Sequence, residues 1–284
     1  MQRNKSYSNS NTLYLVATPI GNLKDMSPRA LEVLSNADLI ACEDTRNTSS
    51  LLLKFDIHKE LVSLREHNEV SMSKHVIDLI KEGKKICYVS DAGYPGISDP
   101  GKILVKLARE ENLSVSVIPG SNALLTALVG SSLDSSHFYF HGFLNPTENK
   151  MIEELEELKT KKETLIFYES PHRIKKTLMT LYKVLGNRKI SLARELTKLN
   201  EEFIEGSLEE FSNIDENTLI GEMVLVVEGN NQNEEVDVNK LLERSKYLLK
   251  KNISLKDVAD IVSYEFNLKK NYVYDLLIKE KDNL

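Results

Sequence analysis

Residues 86–101 couple an apolar run to a loop that leaves the backbone few choices. Ile86-Cys87-Tyr88-Val89 has the length and side-chain types of a buried strand. Ser90-Asp91-Ala92-Gly93-Tyr94-Pro95-Gly96-Ile97-Ser98-Asp99-Pro100-Gly101 follows, with three glycines, two prolines and two aspartates. Glycine permits positive φ and a close approach to a ligand, and proline holds φ near one value. Beyond the loop a helical pattern puts Ile103, Leu104 and Leu107 on one face and Lys102, Lys106 and Arg109 on the other. A stiff loop between the carboxyl end of a buried strand and a helix is where open α/β sheets bind ligands. The same residues also fit a tight turn in which Ser98 or Asp99 caps the helix.

The rest of the first half repeats that unit. A strand is expected over Thr12–Ala17, breaking at Thr18-Pro19-Ile20-Gly21-Asn22-Leu23. Ser27 as N-cap and Pro28 at the first helical position open a helix. Ala37–Cys42 reads as a strand ending in Glu43-Asp44-Thr45-Arg46, which is more charge than a turn requires. A short helix through Leu51–Phe55, a strand around Leu61–Leu64 and a helix around Ser73–Lys81 lead back to the central strand. Ser114–Ile118 is a further strand, ending in Pro119-Gly120-Ser121-Asn122 before an apolar helix. Such alternation is that of a mainly parallel sheet, and four unusual loops at its strand ends point to one crevice.

The second half alternates differently. Strands are expected over Phe138–Leu144, Thr164–Tyr168 and Ile190–Ala193, with an acidic helix over Met151–Leu158. Leu199–Ser207 and Leu219–Glu228 read as a pair of strands, and 230–235 as a linker. Thereafter the pattern is helical, with Ser254 and Asp257 forming a cap. These last helices, with Lys256, Lys269 and Lys270, fit a helix-turn-helix-like module or a helical cap on the main body. The expected organisation is a loose tail over 1–11, α/β domains over 12–119 and 120–231, and a helical module over 236–284.

Bulk properties narrow the class. No apolar run reaches the ~20 residues that span a bilayer, so no membrane is expected, and the polar first eleven residues are not a signal peptide. Cys42 and Cys87 lie in apolar surroundings and no Cys/His cluster has metal-ligand spacing, which fits a reduced cytoplasm and no metal. A net charge of −6 argues against a uniformly basic nucleic-acid binder. Residues 236–284 nevertheless carry ten basic groups against eight acidic, whereas residues 120–235 carry twelve against twenty. Any contact with RNA phosphates must therefore be local. Dinucleotide and P-loop glycine motifs and the nucleophile elbow are absent.

Six segments in order carry a resemblance: Leu-Val-Ala-Thr-Pro-Ile-Gly-Asn-Leu-Lys-Asp (15–25), Cys-Glu-Asp-Thr-Arg (42–46), the central loop (90–101), Phe-Tyr-Glu-Ser-Pro-His-Arg (167–173), Ala-Arg-Glu-Leu-Thr-Lys (193–198) and Gly-Glu-Met-Val-Leu-Val-Val-Glu-Gly (221–229). Together they resemble the bacterial small-subunit ribosomal RNA (cytidine-2′-O)-methyltransferases, over nearly the whole chain. That resemblance implies an α/β, two-domain tetrapyrrole-methylase-like (class III methyltransferase) fold with S-adenosyl-L-methionine in the interdomain cleft, and a homodimer. It implies methylation of a cytidine ribose in the decoding region of 16S ribosomal RNA, on the assembled 30S ribosomal subunit. The cofactor-binding residues it implies are Pro19, Asp91, Ala92, Gly93, Ile97, Pro119, Gly120, Ser121, Asn122 and Tyr168. One departure stands out: the family follows Gly-Phe-Leu with proline and a basic cluster, where this chain has Asn145-Pro146-Thr147-Glu148-Asn149-Lys150.

A sulfonium methyl is already activated, so catalysis must mainly align oxygen, methyl carbon and sulfur. A ribose hydroxyl is a poor nucleophile, and a base or a cation near its oxygen would help. Glu43, Asp44, Arg46, Glu169 and Arg194 are the polar groups at strand ends expected to face that point; each also fits a salt bridge closing the domain interface. A tetrapyrrole methylase would share the cleft but has no use for a basic helical module. A non-catalytic ribosome-binding factor need not bind S-adenosylmethionine at all.

Overall fold

In the computed structural model, which describes residues 11–215, 218–231, 238–266 and 268–280, five short apolar runs build the first sheet. They are β1 (Thr12–Val16), β2 (Leu39–Cys42), β3 (Leu61–Ser63), β4 (Ile86–Val89) and β5 (Ser114–Ile118). Their order is β3-β2-β4-β1-β5, and every pairing is parallel. Parallel neighbours require crossovers, supplied in turn by α1 (Pro28–Ser35), α2 (Thr45–Leu53), α3 (Glu69–Lys81) and α4 (Lys102–Glu110). Ile86 and Tyr88 pack with Ile80 and Leu104 from α3 and α4, while Cys87 and Val89 pack with Leu34 and Leu52 from α1 and α2. Both sheet faces are covered, so the strands read as unbroken apolar runs. The order places the loops after β1, β2, β4 and β5 along one carboxyl edge.

A second sheet comprises β6 (Phe138–Phe143), β7 (Thr164–Glu169), β8 (Lys189–Arg194), β9 (Glu202–Ser207) and β10 (Met223–Val227), in the order β6-β7-β10-β8-β9. Only β6 and β7 run parallel. One face carries α6 (Glu148–Leu158), α7 (Ile174–Leu185) and α8 (Leu208–Ser212). The other face carries α5 (Ala123–Gly130), whose Leu124 and Leu128 pack on Ile166 and Val224. Ile20, from the loop after β1, packs against that same cluster, so the first sheet's edge meets the second sheet's face.

Two expectations are corrected. The strands at 199–207 and 219–228 do not pair with each other; each pairs with β8, which lies between them, as Arg194 opposite both Glu202 and Met223 shows. The physical reason is burial: β8 is apolar and buried along Ile190–Ala193 and needs a partner on each side, whereas β9 is half exposed and suits an edge. Helix α2 begins at Thr45 rather than Leu51, because Asp44 caps it by accepting the Arg46 N–H at 2.9 Å. Helix α7 fills residues between β7 and β8 that the strand-end motifs leave unassigned.

Residues 230–284 form a second compact unit. Here α9 (Val238–Leu249), α10 (Leu255–Glu265) and α11 (Lys270–Lys279) share a core of Leu241, Val258, Val262, Val273 and Leu277. Ser254 caps α10: its Oγ accepts the Asp257 N–H at 3.3 Å and donates to the Asp257 carboxylate at 2.6 Å. Arg244–Glu265 and Lys270–Asp260 ion pairs join the helices. Apart from Asn11, the tail expected over 1–11 lies outside the described residues, as do 232–235 of the expected linker.

Candidate functional site

Three hydrogen-bonded ties hold the strand-end loops together. Thr18 and Gly93 form an isolated antiparallel bridge joining the loops after β1 and β4. The Gly120 N–H donates to the Tyr94 hydroxyl at 3.3 Å, which links the β4 loop to the β5 loop. The Asp91 carboxylate accepts from the Asp44 N–H at 3.2 Å and from Asn47 Nδ2 at 2.7 Å, which links it to the β2 loop. Gly93 holds φ at +72°, a conformation that L side chains rarely adopt. At the far end of the loop, the buried Glu69 carboxylate accepts the Gly101 and Ile103 N–H groups at 2.8 and 3.0 Å. Glu69 therefore satisfies the start of α4, and neither Ser98 nor Asp99 is its cap.

Between this loop cluster and the second sheet lies a cavity of about 340 Å³, within the size range of small-molecule sites. Ala92, Gly93, Ile97 and Asp99 line it from the first sheet, and Phe143, Tyr168 and Met223 from the second. Phe140 and Phe143 meet Tyr168 edge-on at 4.9 and 5.6 Å between ring centroids, which fixes that aromatic wall. Of the residues expected to bind cofactor or act in catalysis, the cavity brings together Ala92, Gly93, Ile97, Asn122, Tyr168 and Glu169. Pro19 sits between Thr18 of the bridge and Ile20 of the lining. Asp91, Pro119, Gly120 and Ser121 belong to the supporting loops; Ser121 Oγ is buried with no hydrogen-bond partner among the described residues.

The residues expected to act in catalysis are engaged with protein partners. Asp44 pairs with Arg46 at 2.6 Å and Arg65 at 3.5 Å, and the Arg46 hydrogen bonds hold its carboxyl well below the usual carboxylate range. Arg194 pairs with Glu202 at 2.5 Å across β8 and β9. Glu169 is 3% exposed and accepts from Thr177 Oγ1 at 2.5 Å and from the Ser170 N–H at 2.7 Å, with Arg173 beside it at 3.4 Å. Glu43 titrates above its ordinary range, first through burial and then through the charge of Asp91.

Asp99, Tyr94, Phe143, Leu196 and Glu222 line the cavity without having been singled out as site residues. For Asp99 the sequence signal was its place in the stiff loop. Burial, followed by the charges of Glu43 and Asp91, pushes its carboxyl up to about 7. Burial takes the Tyr168 phenol up to about 12, and the charge of Asp99 adds to that. Among the described residues no group of three or more His, Cys, Asp or Glu is placed to hold a metal ion.

Residues 12–212 match the family model of the tetrapyrrole (corrin/porphyrin) methylases. The chain belongs to that family. Among tetrapyrrole methylases of known structure, the chain is similar to uroporphyrin-III-C-methyltransferase from Thermus thermophilus, with TM-score 0.55 and 18% identity over 76% of this chain and 94% of that one. It is likewise similar to diphthine synthase, with TM-score 0.58 and 14% identity over 76% and 89%. At such identities the likeness is one of fold. Higher identity links it to two curated proteins named ribosomal RNA small subunit methyltransferase I. The one from Halalkalibacterium halodurans is 51% identical over 236 residues, covering 82% of each chain. That from Bacillus subtilis is 44% identical over 276 residues, covering 94% of each.

Proposed function

We propose that the protein transfers a methyl group from S-adenosyl-L-methionine to the ribose 2′-hydroxyl of a cytidine in the decoding region of 16S ribosomal RNA. Its substrate in this reading is the assembled 30S ribosomal subunit, and it acts in the cytoplasm as a homodimer. The observation that carries the reading is the extent of the match to the ribosomal RNA methyltransferases. At 94% coverage too few residues remain outside to omit the helical unit of residues 230–284. A tetrapyrrole-modifying enzyme would need only the two sheets.

The cavity's chemistry fits the methyl donor. Ile97, Tyr168 and Met223 supply an apolar wall for a purine, Gly93 brings backbone close, and Ser121 offers a buried hydroxyl in a supporting loop. Glu169 and Glu222 add carboxylates to the lining on the side of the second sheet, which suits a ligand carrying an ammonium and a sulfonium. When bound, that ligand supplies the activated methyl group. The chain's own residues orient it: the Thr18–Gly93 and Tyr94–Gly120 ties make the loops a rigid cradle, and the Phe143–Tyr168 pair forms the facing aromatic wall. Glu43, Asp44, Arg46, Glu169 and Arg194 act by holding the walls, since each engages neighbouring protein groups.

Substrate docking in this reading rests on local positive charge. The segment that the resembled family fills with basic residues is here the start of α6, with Glu148 in its first turn. Lys250, Lys251, Lys256 and Lys269 of the helical unit remain for RNA phosphates. Mapping ribose methylation on 16S ribosomal RNA from 30S subunits incubated with and without the protein tests the assignment. A new 2′-O-methylcytidine in the decoding region is the expected result. Tight S-adenosylmethionine binding with no methylation of subunits would overturn the substrate, and no binding at all would favour a non-catalytic factor.

A further inference from the structure

Asp99 is the one cavity-lining aspartate, and among the described residues no cation neutralises it. Its position is held from both sides. Ser98 before it has φ +61°, and the carbonyl of Pro100 after it accepts from the Tyr88 hydroxyl at 3.1 Å and the Gly96 N–H at 3.0 Å. The loop also reaches the second sheet: a Cβ built on Gly142, at the β6 bulge, would stand 3.3 Å from Ser98 Oγ. Of the two glutamates that line the cavity, Glu169 is buried and already accepts two hydrogen bonds beside Arg173, and Glu222 pairs with Lys198 at 3.2 Å.

We propose that Asp99 accepts the proton of the hydroxyl that is methylated. The assignment rests on the methyl-transfer reading above. In the step, the hydroxyl oxygen forms the new bond to the methyl carbon, and the carbon–sulfur bond breaks with its electron pair left on sulfur. The hydroxyl proton passes to a carboxylate oxygen of Asp99 and from there to solvent. The titratable groups around that point are Glu43 and Asp91 at the ends of β2 and β4, Tyr88 of β4, Tyr168 and Glu169 of β7, Arg173 beside Glu169, and Glu222 before β10. Of the cations beside that set, Arg173 is committed to Glu169 and the Leu144 carbonyl, and Lys198 to Glu222 and Glu195 at 3.2 and 2.9 Å. Burial, with the charges of Glu43 and Asp91 added to it, raises the Asp99 carboxyl to where it can exchange a proton near neutrality, which suits a general base.

The test uses the full chain, 30S subunits lacking the modification, and the variant Asp99→Asn. Single-turnover methyl transfer and calorimetric S-adenosylmethionine affinity are both measured from about pH 5.5 to about 8.5. The wild-type rate is expected to rise about tenfold per pH unit below about 7 and then level. Asp99→Asn is expected to bind S-adenosylmethionine within about threefold of wild type, to transfer at least about a hundredfold more slowly, and to lose the rise with pH. A variant as fast as wild type overturns the proposal, and so does one whose affinity falls in step with its rate, since the carboxylate then serves to hold the donor. If Asp99→Asn does not fold, the wild-type profile decides, and a flat rate across the range overturns the assignment. A wild type that transfers no methyl group at any pH defeats the methyl-transfer reading itself, a result distinct from an active variant.

Discussion

Thr18 and Gly93 exchange both of their backbone hydrogen bonds, at 2.9 and 3.1 Å, and so clamp the loop after β1 to the loop after β4. The clamp depends on Gly93 holding φ +72°. A Cβ there would stand 3.6 Å from Ile20 Cγ2, an ordinary contact, so a substitution acts through backbone strain and through filling the cleft rather than by clash. Left-handed backbone costs an L residue about 1–2 kcal/mol, and a β-branched one adapts least. Gly93→Val is expected to weaken S-adenosylmethionine binding at least about tenfold while the protein remains folded by circular dichroism. Unchanged affinity by calorimetry would show that this loop does not hold the donor.

Glu69 reaches across from α3 to the start of α4, where its Oε1 accepts two N–H groups that have no helical partner. Glu69→Ala leaves those donors buried and unpaired, at an expected cost of about 2 kcal/mol in urea unfolding. Glu69→Gln keeps an acceptor oxygen and should lose less. Equal losses for the two variants would mean that packing, not the cap, is the source of the stabilisation.

Asp99 also links stability to pH. Its carboxyl titrates at about 7 in the folded protein, against ~3.9 in an unfolded chain. The folded state binds this proton more tightly. Its stabilising contribution is therefore complete below about pH 4 and is lost as pH rises to about 7. The unfolding free energy of wild type, measured relative to Asp99→Asn, should decline across that window and be flat above it. A difference independent of pH would place Asp99 in the ordinary carboxylate range.

A chain ending at Asn230 keeps every residue that lines the cavity, and residues 1–229 form a compact unit of their own. It is expected to bind S-adenosylmethionine like the full chain and, if lysines of the helical unit supply the phosphate contacts as proposed, to methylate 30S subunits at least about tenfold more slowly. The full chain should lose activity steeply between about 50 and about 200 mM salt. Full activity of the folded, shortened chain would assign residues 230–284 a structural role.

Much of the architecture was readable because parallel strands buried on both faces leave continuous apolar runs, and the glycines and prolines after them mark where the chain turns. The runs at 12–17, 86–89 and 114–118 became β1, β4 and β5 with little change of boundary. Helix α2 was read too short because its first turn, Thr45-Arg46-Asn47, is polar and shows no apolar face; only the Asp44 cap marks it. The partner of β9 could not be read at all. Alternation within a strand says which face is buried, not which neighbour supplies the hydrogen bonds.

For the candidate site, the loops were legible from their glycines and prolines, which fit a ligand loop or a tight turn alike; Ala92, Gly93, Ile97 and Asn122 lie in them, and all four line the cavity. What only the tertiary structure decided is which charges remain available there. Asp44, Arg46, Glu169 and Arg194 look alike in sequence as polar groups at strand ends, yet folding pairs each with a neighbour at 3.4 Å or less. Asp99 reads as a helix cap until Glu69, thirty residues earlier in the chain, takes that role and leaves Asp99 facing the cleft. Pairing of charges depends on distances through space between residues far apart in the chain, and one-dimensional spacing carries no record of them.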